Sequence, residues 1–351
     1  MQYYLLKRLA AMIPTLFGIL TLTFLVTQFV PGGPVDHALI AIDQADARGG
    51  AEGNAGGGWT YSGRKGIDAQ QVAQLSALYG FDKPPLERYL AMMGRFLQFD
   101  LGESYFRNER VWPLIKSKLG VSVSLGVWTF FLTYLVSLPL GVAKAVRNGS
   151  RFDLASTLLL LLGYSMPGFV LGVLLIVILG GGSFLDLFPL RGLTSENWSE
   201  LSFFGKVGDY LWHITLPVTA AVVSSFAMKT LMTKNTFLDE LGRQYVLTAR
   251  AKGLSERQVL WKHVFRNILL PLVTAFPATF AVIFAGNLLI ETLFSLDGVG
   301  LLSYESVISR DFPVVLGALY FFTFIHLVTR LVADIAYVLA DPRIKYDAKG
   351  V

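Results

Sequence analysis

Apolar runs long enough to cross a bilayer alternate with polar stretches along this chain. Leu9 to Val30 is 22 residues without a charge, enough for a helix to span roughly 30 Å of hydrocarbon. Lys7 and Arg8 precede it and Pro31-Gly-Gly-Pro34 stops it. The run exceeds the apolar core of a signal peptide and predicts an uncleaved first helix. Leu119 to Ala143 is a second span, with Pro139 near its inner end. Leu154 to about Gly180 is a third. Ser165-Met-Pro-Gly-Phe169 predicts a kink there, because proline removes a helical hydrogen bond. Tyr210 to Met228, Ile268 to Ile290 and Phe312 to Ala340 give spans four to six. The pattern predicts an all-α polytopic membrane protein with six transmembrane helices.

The stretches between the spans differ in kind. Residues 31–118 form one long segment, and from residue 35 it carries ten Lys/Arg against ten Asp/Glu. Within it, 49–66 holds eight glycines in 18 residues and reads as a flexible insertion. Asp68 to Tyr79 follows with Val72, Leu75 and Leu78 on one helical face. The stretch 229–267 is different: it reads as two short helices with a sharp joint. Gln244 to Lys252 has no breaker, and Gly253 suits the left-handed position that ends a helix. Ser255 then stands as an N-cap with Gln258 three residues on, a capping-box spacing, and Leu254 and Val259 are spaced as a hydrophobic staple. The chain divides into residues 1–30, the segment 31–118, and a core of 119–351 that contains this elbow.

Charge orients the spans. Lys144, Arg147 and Arg151 follow the second span, and residues 229–266 carry eight Lys/Arg against three Asp/Glu. Positive short loops belong in the cytoplasm. The elbow and both termini are therefore expected inside, and 31–118 outside.

Composition narrows the class. The 351 residues are 53% hydrophobic and 16% charged, against roughly 25% charged in soluble domains. The net charge of +5 is spread among loops and fits membrane topology, with no nucleic-acid partner. Cysteine is absent, which excludes disulfides, a thiol nucleophile and a Cys-based metal site. Gly58 to Lys65 lacks the Gly-Lys-Ser/Thr ending of a phosphate loop, and there is no Gly-x-Ser-x-Gly turn or His pair at metal-binding spacing. No catalytic or metal site is expected. Intramembrane polar residues are candidates by default. His326, Arg330 and Asp334 recur every four residues on the sixth span, a spacing that suits an Arg330–Asp334 pair, although an arginine near the inner interface also snorkels. Glu291 is placed to cap or orient an outer loop. His213 suits an interfacial anchor.

The run Tyr245-Val-Leu-Thr-Ala-Arg-Ala-Lys-Gly-Leu-Ser255, with His263, Arg266-Asn267 and Pro271, resembles the cytoplasmic EAA loop of ABC-importer permeases of the dipeptide/oligopeptide/nickel branch. The Glu-Ala-Ala of that family falls on Leu247-Thr248-Ala249, so the acidic residue is missing, and its glycine falls on Gly253. Tyr79-Gly-Phe-Asp-Lys-Pro84, Glu291-Thr-Leu-Phe-Ser-Leu-Asp-Gly-Val-Gly300 and Asp341-Pro-Arg-Ile344 resemble the same branch. Pro31-Gly-Gly-Pro34 departs from its Pro-Gly-Asp-Pro at Gly33. The glycine-rich insertion and the runs Phe81–Pro84 and Ser150–Asp153 are most similar to the Yej-type peptide permeases.

The resemblance implies a permease of the bacterial inner membrane importing peptides, peptide-like antibiotics among them. It implies a second homologous permease subunit, two cytoplasmic ATPase subunits or one fused ATPase, and a periplasmic peptide-binding protein. ATP and magnesium would sit on the ATPases, with no cofactor on this chain. The helix from Tyr245 to Lys252 would dock into an ATPase groove. Thr248 and Ala249 would allow close approach, Arg243, Arg250 and Lys252 would pair with acidic rims, and Gly253 would form the joint. An importer of nickel or another small solute, and an intramembrane enzyme or membrane scaffold, are the alternatives.

Overall fold

A computed structural model describes residues 2–29, 81–107, 109–181, 184–269, 280 and 283–340. The glycine-rich insertion, the expected helix at 68–79, Pro31–Pro34, Pro271 and the Asp341-Pro-Arg-Ile344 tail lie outside the described residues. Within them the secondary structure is helical: α1 (Gln2–Phe29), α2 (Pro85–Phe96), α3 (Val111–Val146), α4 (Arg151–Ser165), α5 (Gly168–Leu179), α6 (Phe203–Leu241), α7 (Gln244–Ala251), α8 (Glu256–Gln258), α9 (Leu288–Leu293), α10 (Val299–Ser309) and α11 (Phe312–Ala340). Among the described residues, four helices are long and apolar enough to cross a membrane, or five if α4 and α5 count as one bent span.

Several helices outrun their expected spans. α3 has 36 residues and α6 has 39. At 1.5 Å per residue α6 is about 58 Å long, nearly twice the hydrocarbon thickness. The positive stretch beyond Met228 thus begins as a helical stem rather than a loop. Pro217 is tolerated inside α6. Pro167 is not tolerated in the same way: the third span is broken, with α4 and α5 meeting at 93°, which is more than the expected kink. Met166, ahead of the proline, takes φ −92° and ψ 121°. This is the extended conformation that a following proline enforces. The stretch expected as the fifth span does not run as one helix to Ile290. Gly286 has φ +75°, and the Asn287 side chain caps a new helix by accepting from the Ile290 N–H.

The chain forms two compact units, one of residues 1–10, 118–302 and 324–351, the other of 11–117 and 303–323. In the first, α4 and α5 pack along α6, and α9 packs on α5 and α6. One apolar core gathers Leu125, Ile214, Leu216, Val218, Ile290 and Phe294. A second gathers Val142, Phe237, Val246, Ala249, Val259, Val264 and Ile268 beneath the elbow. Leu158, Leu159, Leu161 and Leu162 of α4 stay exposed. A helix this apolar on its open faces needs lipid or protein around it.

In the second unit, α2 packs on α1. The Tyr89 hydroxyl lies 2.6 Å from that of Thr21 and Arg88 donates to the Gln28 side chain at 2.6 Å. The buried carboxylate of Asp311, at the foot of α11, accepts from the Ser104 hydroxyl and, at 3.0 Å, from the Tyr105 N–H. Arg107 pairs with Glu305 at 2.7 Å.

Close helix packing in the first unit depends on missing side chains. A Cβ at Gly126 of α3 would lie 2.6 Å from the Ile283 Cα and 2.8 Å from its carbonyl oxygen. Backbone cannot yield as a flexible side chain can. Gly126→Val is therefore expected to destabilise the detergent-solubilised protein by about 1–3 kcal/mol, read as a lowered midpoint in a thermal unfolding scan.

Candidate functional site

The elbow is built from local rules. α6 ends at Leu241 and Gly242 caps it. Arg243 is extended, and α7 starts at Gln244. At its far end Gly253 has φ +77°. The Gly253 N–H donates to the Arg250 carbonyl at 2.9 Å and the Leu254 N–H to the Ala249 carbonyl at 3.3 Å. This pair of bonds is the Schellman motif, which occupies carbonyls that a helix end leaves free. Leu254 packs onto the elbow core, as the motif's apolar contact requires. The next helix opens immediately. Ser255 Oγ accepts from the Gln258 N–H and Gln258 Oε1 accepts from the Ser255 N–H, a complete capping box. Residues Val259–Val264 then widen into a π-turn, and 265–269 return to α-helix.

Side chains lock the joint. Arg250 donates to both oxygens of Glu256, at 2.8 and 3.1 Å. Glu240, on the last turn of α6, is a hub: its Oε2 accepts from the Tyr245 hydroxyl at 2.7 Å and from the Asn267 amide at 3.4 Å, and Arg243 lies 3.7 Å from its other oxygen. Burial, reinforced by the Glu240 bond, pushes the Tyr245 phenol up to about 12. It is a donor throughout the physiological range.

This geometry sorts the expected coupling residues. Val246 is fully buried and Ala249 is only 6% exposed, so Ala249 faces this chain's own core. Ala249 belongs to the same buried core as Phe237, Val259 and Val264, away from the exposed face where it was expected to meet a partner. Arg243 and Arg250 are exposed, each beside an acidic group of the elbow, Glu240 and Glu256, and Tyr245 is held by Glu240. The open face is Gln244, Leu247, Thr248 and Ala251, with Lys252 and Gly253 at its end. These first four stand at i, i+3, i+4 and i+7, one side of a helix. Leu247 is 61% exposed. Sequence reasoning missed Leu247 as the apolar centre of that face, and Glu240 and Asn267 as its fasteners. The helical spacing already carried the first of these.

The other candidates are placed separately. On α11 His326 and Arg330 are exposed. Asp334 takes its ion pair from Arg8 of α1, at 2.9 Å, so the anticipated Arg330–Asp334 pair is corrected. The partner comes from another helix rather than the next turn. His213 is buried, its Nδ1 2.8 Å from the Asp209 carbonyl, not an interfacial anchor.

Glu291, on α9, is fully buried. Its Oε1 accepts from the Ser122 hydroxyl at 2.8 Å and the Asn287 N–H at 3.1 Å; Oε2 accepts from the Leu301 N–H at 2.9 Å. A Cβ at Gly286, Gly298 or Gly300 would run into this carboxylate, which explains the glycines around it. Among the described residues no three His, Asp or Glu side chains gather where they could hold a metal ion.

A helical chain with several membrane-length apolar helices joined through such an elbow has the architecture of a multi-pass membrane protein. Residues 137–346 match the family described as binding-protein-dependent transport system inner membrane component, and the chain belongs to that family. It is 50% identical over 366 aligned residues, covering 99% of this chain and 100% of the relative, to the inner membrane ABC transporter permease protein YejB of Escherichia coli O157:H7. It is 48% identical over 364 residues, spanning both chains fully, to the peptidoglycan transport system permease protein YejB of Agrobacterium fabrum. It is 31% identical over 362 residues, 99% of each chain, to the dipeptide transport system permease protein DppB of Escherichia coli K12.

Two substitutions test the local geometry. Ser255→Ala removes the cap and is expected to cost about 1 kcal/mol locally, a roughly fivefold faster hydrogen exchange at the Gln258 amide. Glu291→Ala leaves the Ser122 hydroxyl and two backbone N–H groups without their acceptor. It is expected to cost about 3 kcal/mol or more, measured as lost thermal stability in detergent.

Proposed function

We propose that this chain is a permease subunit of an ATP-driven importer of peptides. Six spans would carry both termini on the cytoplasmic side and the segment 31–118 on the periplasmic side. The charge asymmetry supports this orientation, since residues 229–266 are strongly basic while 35–118 are balanced. The cargoes named for two relatives, dipeptide and peptidoglycan, have peptide chemistry in common, and peptides are the cargo class proposed for this chain. A second permease subunit, a periplasmic peptide-binding protein and two ATPase subunits or one fused ATPase complete the assembly. ATP and magnesium act on the ATPases. This chain moves cargo without catalysing a reaction of its own.

The observation that carries the reading is the elbow. A short helix is fastened from behind by Glu240, Tyr245 and the Schellman turn, and presents Gln244, Leu247, Thr248 and Ala251 outward. An amphipathic face held this firmly suits docking of a helix into a groove. Lys252 adds a cation at the rim. Closure of the ATPases would move two such elbows together and switch the permease between inward- and outward-open packings.

Two variants separate docking from folding. Thr248→Trp adds bulk only on the exposed face and is expected to keep the thermal midpoint while ATPase co-purification in mild detergent falls about tenfold or more. Ala249→Glu buries a charge in the elbow core and is expected to lower both. Normal ATPase recovery with Thr248→Trp, checked by mass spectrometry of the purified complex, would reject α7 as the docking element.

A further inference from the structure

Behind the elbow lies a group of charges that the docking reading does not use. Lys144 of α3 is fully buried. Its ammonium lies 3.0 Å from Asp153 Oδ1 and donates to the Asp153 carbonyl at 2.8 Å, the Ser156 hydroxyl at 2.8 Å and the Thr157 hydroxyl at 2.7 Å. Asp153 sits in the first turn of α4. Its carboxylate also accepts from the Lys234 ammonium of α6, at 2.8 and 2.7 Å, and from the Gly149 N–H at 3.1 Å. One carboxylate thus ties three helices. Beside it α3 and α6 touch: a Cβ at Gly141 would lie 2.6 Å from the Thr233 Cβ and 2.9 Å from the Thr230 carbonyl.

The position of this group on α6 gives it a consequence. Lys234 lies seven residues before Leu241, about 10 Å along an unbroken helix from the elbow joint. Asp153 heads the α4–α5 pair, bent by 93°. A displacement of the elbow therefore meets α4 within three helical turns.

We propose that Asp153 is a positioning residue for transport: it locks the stem of the elbow to the head of the bent α4–α5 pair, so that ATPase-driven movement of the elbow is delivered to that pair. The proposal rests on the coupling role assigned to the elbow. It differs from a role in folding alone because it requires α4 and the stem to keep one separation in every state of the transport cycle.

The chain has no cysteine, so Leu158→Cys on α4 and Asp239→Cys on α6, both exposed, accept a spin-label pair at chosen sites. The labelled chain is assembled with its permease and ATPase partners, themselves freed of cysteine, in lipid nanodiscs. Distances are measured by pulsed electron paramagnetic resonance in nucleotide-free and ATP-trapped complexes. The expected result is one narrow distribution shared by both states. With Asp153→Asn the distribution is expected to broaden or to differ between states, and transport per ATP hydrolysed to fall about tenfold while hydrolysis continues. Different distances in the two states with Asp153 intact overturn the proposal, as does an Asp153→Asn complex that keeps both the distance and the coupling. The two-state measurement with Asp153 intact decides alone if that variant fails to assemble. ATPase co-purification with the labelled chain is read first. Its absence overturns the coupling reading and the proposal together, whereas its presence with two different distances overturns the lock alone.

Discussion

A charge buried among apolar helices has to be matched at its own atoms, and two carboxylates in the larger unit meet that demand in opposite ways. Asp153 is matched by cations from two other helices. Glu291 is matched by neutral donors: one hydroxyl and two backbone N–H groups. Desolvation costs several kcal/mol per ion, so neither arrangement adds much net stability over an apolar equivalent. What each supplies is geometry. Loss of one partner leaves an uncompensated group, and that penalty holds the surrounding helices to a single arrangement. The glycines around Glu291 and the Gly141 crossing beside Asp153 follow from the same demand, since backbone and charge must approach closely for the bonds to form.

Prolines show how context decides the outcome of one local rule. Pro217 lies inside α6 and the helix continues for 24 residues beyond it. There the buried neighbours Leu216, Val218 and Ala220 hold the chain on its path through the core. Pro167 is preceded by Met166 in an extended conformation and followed by Gly168 against the α6 backbone, where a Cβ would lie 3.1 Å from the Ala220 carbonyl. With tight packing on only one side and a small residue on the other, the break opens fully. The same residue type therefore ends one helix and merely interrupts the hydrogen bonding of another.

Legibility from the sequence follows the range of the interactions involved. The elbow joint was readable because Gly253, Ser255 and Gln258 act within five residues of one another, through bonds that local conformation dictates. The sixth span was readable because a long apolar run admits few alternatives. Ala249 was misread because its direction depends on Phe237 and Val264, which approach from elsewhere in the chain. Asp334 was paired with its helical neighbour because the approach of Arg8 cannot be inferred from spacing. Lys144 was absorbed into a basic loop, where charge statistics explained it well enough. Its burial emerges only when α4 folds back over it. The helix break at Gly286 was also hidden, since that glycine looks like any membrane glycine until Glu291 is seen filling the space beside it.

These points bear on how a rigid elbow can serve a moving machine. Force enters a helix only if its attachments are stiffer than the partner's grip. α7 is attached at its far end by the Schellman turn, at its near end through the Glu240–Tyr245 bond and from beneath by Val246 and Ala249, while its open face carries one large apolar side chain, Leu247. The stem behind it is a single helix that leaves the apolar core without a break. Between the exposed face and Lys234 the regular helix is interrupted only at Gly242 and Arg243, the joint that the Glu240 bonds span. The Pro167 corner lies beyond the charge lock, at the far end of α4. A movement imposed on α7 would meet Asp153 before it reached the Pro167 corner of the α4–α5 pair.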